Sequence, residues 1–222
     1  MDAPDSQTSI AAIVLAGGAG ERFGSPKYKA SFLSKTLLDH AVDLVIPICD
    51  PVVVVLPEGE SWNGPSGVET AVGGSNRAES LEHGLDAVGD RAEIVVVHDV
   101  IRPLATRRQI EAVVAEVHNG ADVATLGWTP PDTVKSMSHD GKTVHHVGRE
   151  NLRITHGPTA AKTVSLRAVI TKLGSVGVEE TIGVEQAGGV VKLVEGDRWS
   201  NHIVTTQDLR LAELVAIERS RT

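Results

Sequence analysis

Three short segments of the chain gather residue types that handle negative charge. The first, Leu15–Lys27 (LAGGAGERFGSPK), places four glycines, Arg22 and Lys27 directly behind an apolar run. Glycines let backbone N–H groups approach phosphate oxygens closely, and the two cations can neutralise charge that builds on a departing phosphate group. The second, Gly73–Leu81 (GGSNRAESL), is another glycine turn with small hydroxyls. The third, Val97–Pro103 (VHDVIRP), sets Asp99 and Arg102 three residues apart, so both can face one crevice. An ion pair between those two is the structural alternative. His98 beside Asp99 is not read as a dyad, because neighbours on a strand point to opposite faces; a buried structural His98 is expected. The glycine loop also departs from two better-known designs. After Gly18 and Gly20, the position a dinucleotide fingerprint would fill with glycine holds Phe23, and no Gly-Lys-Ser/Thr run occurs. A plain structural turn would account for the glycines alone, but not for Arg22, Pro26 and Lys27 in register with them.

These segments need a scaffold, and the apolar pattern supplies one. Ile10–Ala16, Pro51–Pro57, Val68–Val72, Ile94–Val97 and Ala121–Trp128 are continuous Val/Ile-rich runs. Such runs suit parallel strands covered on both faces. Leu37, Leu38, Ala41, Val42, Val45 and Ile46 fall at helical spacing, as do Ile110, Val113, Val114 and Val117 after a Thr106 cap. The fold class expected is α/β, a doubly wound, mostly parallel Rossmann-like sheet whose ligand crevice lies beyond the carboxyl ends of the strands, where the three motifs sit. From Pro130 to Thr155 the residues turn polar and β-branched around His139-Asp140-Gly141, which predicts a projecting hairpin arm. A helix over Thr163–Leu173, a strand over Gly189–Val194 and a terminal helix over Gln207–Arg219 follow. Residues 10–222 are expected to form one domain behind a frayed polar tail, residues 1–9.

With 222 residues, 41% of them hydrophobic, the chain can bury one substantial core. Its formal charge of −8 gives no reason to expect a nucleic-acid or membrane surface, so an anionic substrate must be held by a local cluster of cations. The single cysteine, Cys49, excludes a disulfide framework and multi-cysteine metal sites, and no apolar run reaches the roughly 18 residues that span a bilayer. A soluble, cytoplasmic protein is the expectation.

On these three segments together, in this order, the sequence resembles the cytidylyltransferases that activate 2-C-methyl-D-erythritol 4-phosphate in isoprenoid synthesis, and their relatives acting on ribitol 5-phosphate. The resemblance runs from about Ile10 to the terminal helix. It implies that Ala16, Gly17, Gly18, Ala19 and Gly20 wrap the triphosphate of CTP, that Arg22 and Lys27 are the catalytic cations, and that Gly74, Ser75 and Ser80 read cytosine, although Ser80 could instead cap the following helix. It assigns the small phosphorylated acceptor to Asp99, Arg102, Thr133 and Arg149, with the arm supplied by the second subunit of a homodimer. Magnesium is the implied cofactor, and Asp99 its candidate protein ligand.

Departures concentrate at the acceptor positions. Gly157-Pro158-Thr159 stands where relatives carry Thr-Pro-Gln, an acidic signature is replaced by Val178-Glu179-Glu180-Thr181-Ile182, and His202 stands where a lysine is usual. The Leu-Ala-Gly-Gly opening and the Val100-Ile101 pair lean toward a ribitol or other polyol phosphate acceptor, and a phosphonate acceptor is a further alternative. From a different class, a non-catalytic nucleotide-binding paralogue is the second alternative; retention of Arg22, Lys27, Asp99 and Arg102 speaks against it.

Overall fold

The computed structural model describes residues 8–17, 23–173 and 179–221. A seven-stranded sheet carries the fold. Its strands are β1 (Ile10–Leu15), β4 (Val52–Leu56), β5 (Val68–Val72), β6 (Ile94–Asp99), β7 (Val123–Trp128), β10 (Ile154–Lys162) and β11 (Val191–Glu195), in spatial order β11-β7-β10-β6-β1-β4-β5. All pairings are parallel except those of β10, which runs antiparallel to both β6 and β7. A mostly parallel doubly wound sheet is therefore what forms.

Alternation along each central strand divides two cores. Ala12, Val14, Val52, Val54, Ile94 and Val96 face α1 (Leu37–Val45) and α3 (Arg107–His118), while Ile13, Val53, Val55, Val95 and Val97 face α2 (Arg77–Val88) and α4 (Thr163–Leu173). Both faces are covered, which is why Ala12–Val14, Val52–Val55 and Ile94–Val97 are continuous apolar runs. Helix starts are fixed locally. Thr36 and Thr106 each close a capping box, with Asp39 and Gln109 respectively, and Asn76 caps α2 by accepting from the Glu79 amide. The terminal helix α6 (Thr206–Arg219) is capped by Thr205.

Several expectations need correction. β5 is half-exposed, not buried, because it is an edge strand and its Glu69 and Thr70 point outward; β11, the other edge, is the same. The arm is shorter than expected: β8 (Val134–Met137) pairs with β9 (Val144–Val147), whereas Ile154 and Thr155 already belong to β10, bonded opposite Trp128 and Gly127. The turn at Asp140-Gly141 stands, held by Ser138, whose backbone N–H donates to Thr143, and by Asp140, whose carboxylate accepts from Ser138 Oγ. The strand β10, the short helix α5 (Glu180–Gln186) and the small hairpin β2 (Ser31–Phe32) and β3 (Lys35–Thr36) have no counterpart in the sequence pattern as read above. Of the expected tail, residues 1–7 lie outside the described residues; the Ser9 carbonyl accepts from the Glu93 and Ile94 amides. Among the described residues, no helix is long and apolar enough to cross a membrane.

Candidate active site

The ends of β1, β5 and β6 open into a cleft of about 920 Å³. Gly17, Lys27, Gly74, Ser75, Ser80, Asp99, Arg102 and His202 all line it, together with Ala16. The three motifs thus converge as the crossover topology requires. Gly18, Ala19, Gly20 and Arg22 lie outside the described residues. Thr133 and Arg149 do not line this cleft: both are exposed on the arm side, where the Arg149 guanidinium donates to the Pro131 carbonyl.

At one end, the second glycine segment folds over the start of α2. Ser80 Oγ donates to the Asn76 carbonyl at 2.8 Å and accepts from the Gly74 N–H at 3.1 Å. Ser80 is therefore buried inside the first turns of the helix and is not its cap; Asn76 is. Ser75 donates from both N–H and Oγ to the Glu79 carboxylate, at 2.8 and 2.6 Å. That carboxylate folds back so closely that a Cβ on Gly74 would stand 2.2 Å from Glu79 Cγ, so position 74 must be glycine for the turn to close. Lys27 opens a 3-10 turn (Lys27–Lys29) behind Pro26 and lines the same cleft as this segment.

At the other end, charge is arranged in a way the sequence did not disclose. Asp99 pairs with Arg77 (3.2 Å), not with Arg102. Arg77 also makes a two-pronged bond to Glu180, whose side chain is only 2% exposed. Partial desolvation opposes the Arg77 charge, but the two carboxylates outweigh it and hold the guanidinium more firmly protonated than usual. Arg102 instead donates to the Ser200 carbonyl at 2.9 Å. Burial pulls its pKa down, against the pull of Asp99 and Glu179. Burial pushes the Glu179 carboxyl up, and neighbouring Glu180 adds to this. The segment read as a loss of acidic signature therefore still delivers two carboxylates to the cleft. Arg77 sits inside the second motif; its spacing from Asn76 and Glu79 marks a helix start, but nothing local pairs it with residue 180.

Behind this end lies a buried polar seam. Thr125 Oγ1 donates to the His156 carbonyl, and the Thr125 and Thr159 hydroxyls are 3.0 Å apart. His98, on the opposite face of β6 from the cleft-facing positions, is 1% exposed, and neither ring nitrogen finds a hydrogen-bond partner among the described residues. Burial pushes its pKa down to about 4, so it is a neutral structural residue, as expected from its strand position. Among the described residues, no group of three or more His, Cys, Asp or Glu side chains could hold a metal ion.

A doubly wound sheet with a glycine turn, a buried serine and a guanidinium–carboxylate cluster at its carboxyl edge defines a nucleotide-handling α/β enzyme. Comparison narrows the class. The family model for 2-C-methyl-D-erythritol 4-phosphate cytidylyltransferase matches residues 10–218, and the chain belongs to that family. It is similar to the proteins of that name from Rubrobacter xylanophilus, 32% identical over 95% of this chain and 96% of that one, and from Rhodococcus opacus, 33% identical over 94% and 96%. Among solved structures, that of the Thermus thermophilus protein of the same name superposes with a TM-score of 0.79 at 27% identity, covering 94% of this chain and 99% of that one.

Proposed function

We propose that the chain transfers the cytidylyl group of CTP to the phosphate of 2-C-methyl-D-erythritol 4-phosphate and releases pyrophosphate. The observation that carries this is the convergence of Gly17, Lys27, Ser80, Asp99, Arg102 and His202 on one cleft. An acceptor phosphate oxygen attacks the α-phosphorus in line; the new P–O bond forms as the bond to the β-phosphate oxygen breaks. The acceptor phosphate is already ionised at neutral pH, so no general base is needed. Gly17, Gly74, Ser75 and Ser80 serve the nucleotide, Lys27 the charge that moves toward pyrophosphate, and Arg102 and His202 the acceptor phosphate. The residues fit magnesium that arrives with the triphosphate and keeps mainly phosphate and water ligands, Asp99 being the protein carboxylate placed to meet it. The ion would supply further charge neutralisation.

Thr133 and Arg149 serve the acceptor from a second subunit. What supports this is the arm itself: Met137 and Val144, paired across the hairpin, are 67% and 58% exposed, and a lone two-stranded hairpin is only marginally stable in water. A ribitol or other polyol phosphate acceptor is the second reading, favoured by Val100 and Ile101 on the cleft wall. The test is pyrophosphate release from CTP, ATP, GTP and UTP with a panel of polyol phosphates and phosphonates. CTP with the methylerythritol phosphate should lead; equal rates with all four nucleotides would sink base reading, and no release with any acceptor would leave a binding protein only.

A further inference from the structure

The acceptor end of the cleft is assembled from two segments far apart in sequence, and one buried imidazole joins them. The first is the irregular stretch of β10 at Gly157–Thr159, where the register against β7 shifts between His156 and Ala160. The second is the loop from Gly196 to Ile203. His156 is 3% exposed and does not line the cleft. Its Nδ1 lies 2.8 Å from the Gly157 carbonyl oxygen, and the Asp197 backbone N–H donates to its Nε2 at 3.1 Å. A carbonyl only accepts and an amide N–H only donates, so the two partners fix the tautomer: Nδ1–H donates and bare Nε2 accepts. Burial lowers the pKa of His156, which suits a ring that must stay neutral. The approach is tight. A Cβ at Gly196 would stand 2.7 Å from Nε2, so a side chain there would hold the loop off the ring.

Each segment presents cleft residues from this joint. On one side are Gly157 and Thr159; on the other is His202, and buried Ser200 in the same loop accepts through its carbonyl from the cleft residue Arg102. The loop is also held at Gly196 to Gly127, at Ser200 to Arg102, at Ile203 to Ile101 and by the Asp197 carboxylate to Arg219 on α6, and the Asp197–His156 bond is the described hydrogen bond that ties it to the β10 irregularity. We propose that His156 is a positioning residue that locks the 196–203 loop onto β10 and thereby sets Arg102 and His202 against the acceptor phosphate. This rests on the reading of that end as the acceptor site.

Two near-isosteric variants separate its two bonds. In His156→Gln the amide oxygen reaches as far as Nε2 and can accept from Asp197; in His156→Asn the amide nitrogen replaces Nδ1 and keeps only the bond to Gly157. His156→Asn should raise the acceptor KM about tenfold, the equivalent of about 1.4 kcal/mol, with the CTP KM within about twofold. His156→Gln should bring the acceptor KM back to within about threefold of the original protein. An unchanged acceptor KM in His156→Asn, or equal rises in both KM values, would overturn the positioning role. Nitrogen-15 NMR of the imidazole supplies a readout independent of turnover: the Nδ1–H tautomer supports the joint, and the Nε2–H tautomer refutes it. Failure of the unmodified protein to turn over CTP would defeat the assigned reaction, while the tautomer still decides the joint.

Discussion

The turn proposed to serve the nucleotide is made by neighbours in sequence, and the end proposed for the acceptor by residues far apart. Gly73 to Ser80 fold on themselves through the Ser80, Ser75 and Glu79 bonds, so this turn on the cleft wall is fixed within one short stretch of chain. At the other end Asp99 is held by Arg77, Arg77 by Glu180, and Arg102 by Ser200, across sequence separations of 22, 103 and 98 residues. A local turn survives substitution elsewhere, whereas a site hung on long-range contacts changes when any contributor changes. The departures from the family pattern, at Gly157, Glu179 and His202, fall on the second kind of construction. Such a construction would let a sequence keep a nucleotide site while its acceptor contacts change.

Four experiments would break or sharpen that contrast. The largest effect is expected from replacing residues 133–149 with a short flexible linker. Sedimentation should report monomers, acceptor turnover should fall by about a thousandfold, and CTP affinity should hold within about threefold, since only positioning of the acceptor is lost. A full-length protein that is monomeric at micromolar concentration would refute the shared acceptor end.

Acid tests whether the sheet beneath the site fails as one body. The folded-state pKa of His98 is pushed down to about 4, below the usual value near 6.5. Its contribution is therefore intact above about pH 6.5 and is lost progressively as pH falls toward 4, because the unfolded chain takes up the proton first. The loss is on the order of 3 kcal/mol at most. His98→Leu should flatten this part of the stability profile in urea unfolding, and an unaltered profile would assign the acid sensitivity elsewhere.

Lys27→Ala should cost about 2 to 3 kcal/mol in kcat, or roughly 30- to 150-fold, with CTP affinity little changed, if its charge meets the transition state better than the ground state. A fall of less than about fivefold would assign Lys27 to the cleft rim. The smallest effect belongs to His202. Histidine ordinarily titrates near pH 6.5 and lysine near 10.4. A protonated ring favours the phosphate dianion, so the acceptor KM should rise a few-fold from about pH 6.5 to 8.5 and the CTP KM should not. His202→Lys should remove that slope; identical profiles would place the acceptor's cationic contacts at Arg102 and Arg149.

Much of this architecture was legible in the sequence, for identifiable reasons. β1, β4, β6 and β7 are covered on both faces, so their runs are largely apolar, helical spacing marks α1, and Thr106 announces α3 by capping. β10 was hidden because its sequence, ITHGPTAAK, carries Gly-Pro at the centre and two alanines, a composition that argues against a central strand. It persists there because β6 and β7 bond it on both sides while the irregularity at Gly157-Pro158 absorbs the break. The motifs located Lys27, Ser80, Asp99 and Arg102 on the cleft wall, and the strand alternation correctly buried His98. Arg77, Glu180 and His156 were not found, since each acts through a partner supplied by tertiary contact and leaves no local spacing to read.

The antiparallel placement of β10 also bears on the order in which the chain is made. β6 and β7 are not each other's neighbours; β10 lies between them, yet it is synthesised after both. At about 5 to 20 residues per second, the ribosome leaves the Ile94–Asp99 edge without its partner for several seconds. During that interval β6, with three valines, and the largely apolar β7 both lack the strand that separates them in the finished sheet, and each offers unpaired backbone of the kind that recruits foreign chains. Translation halted near residue 153 would release a polypeptide with the Gly73–Ser80 turn complete and β10 missing. Such a fragment should aggregate or be retained by chaperones, and extension through Lys162 should restore solubility by supplying the missing strand from within.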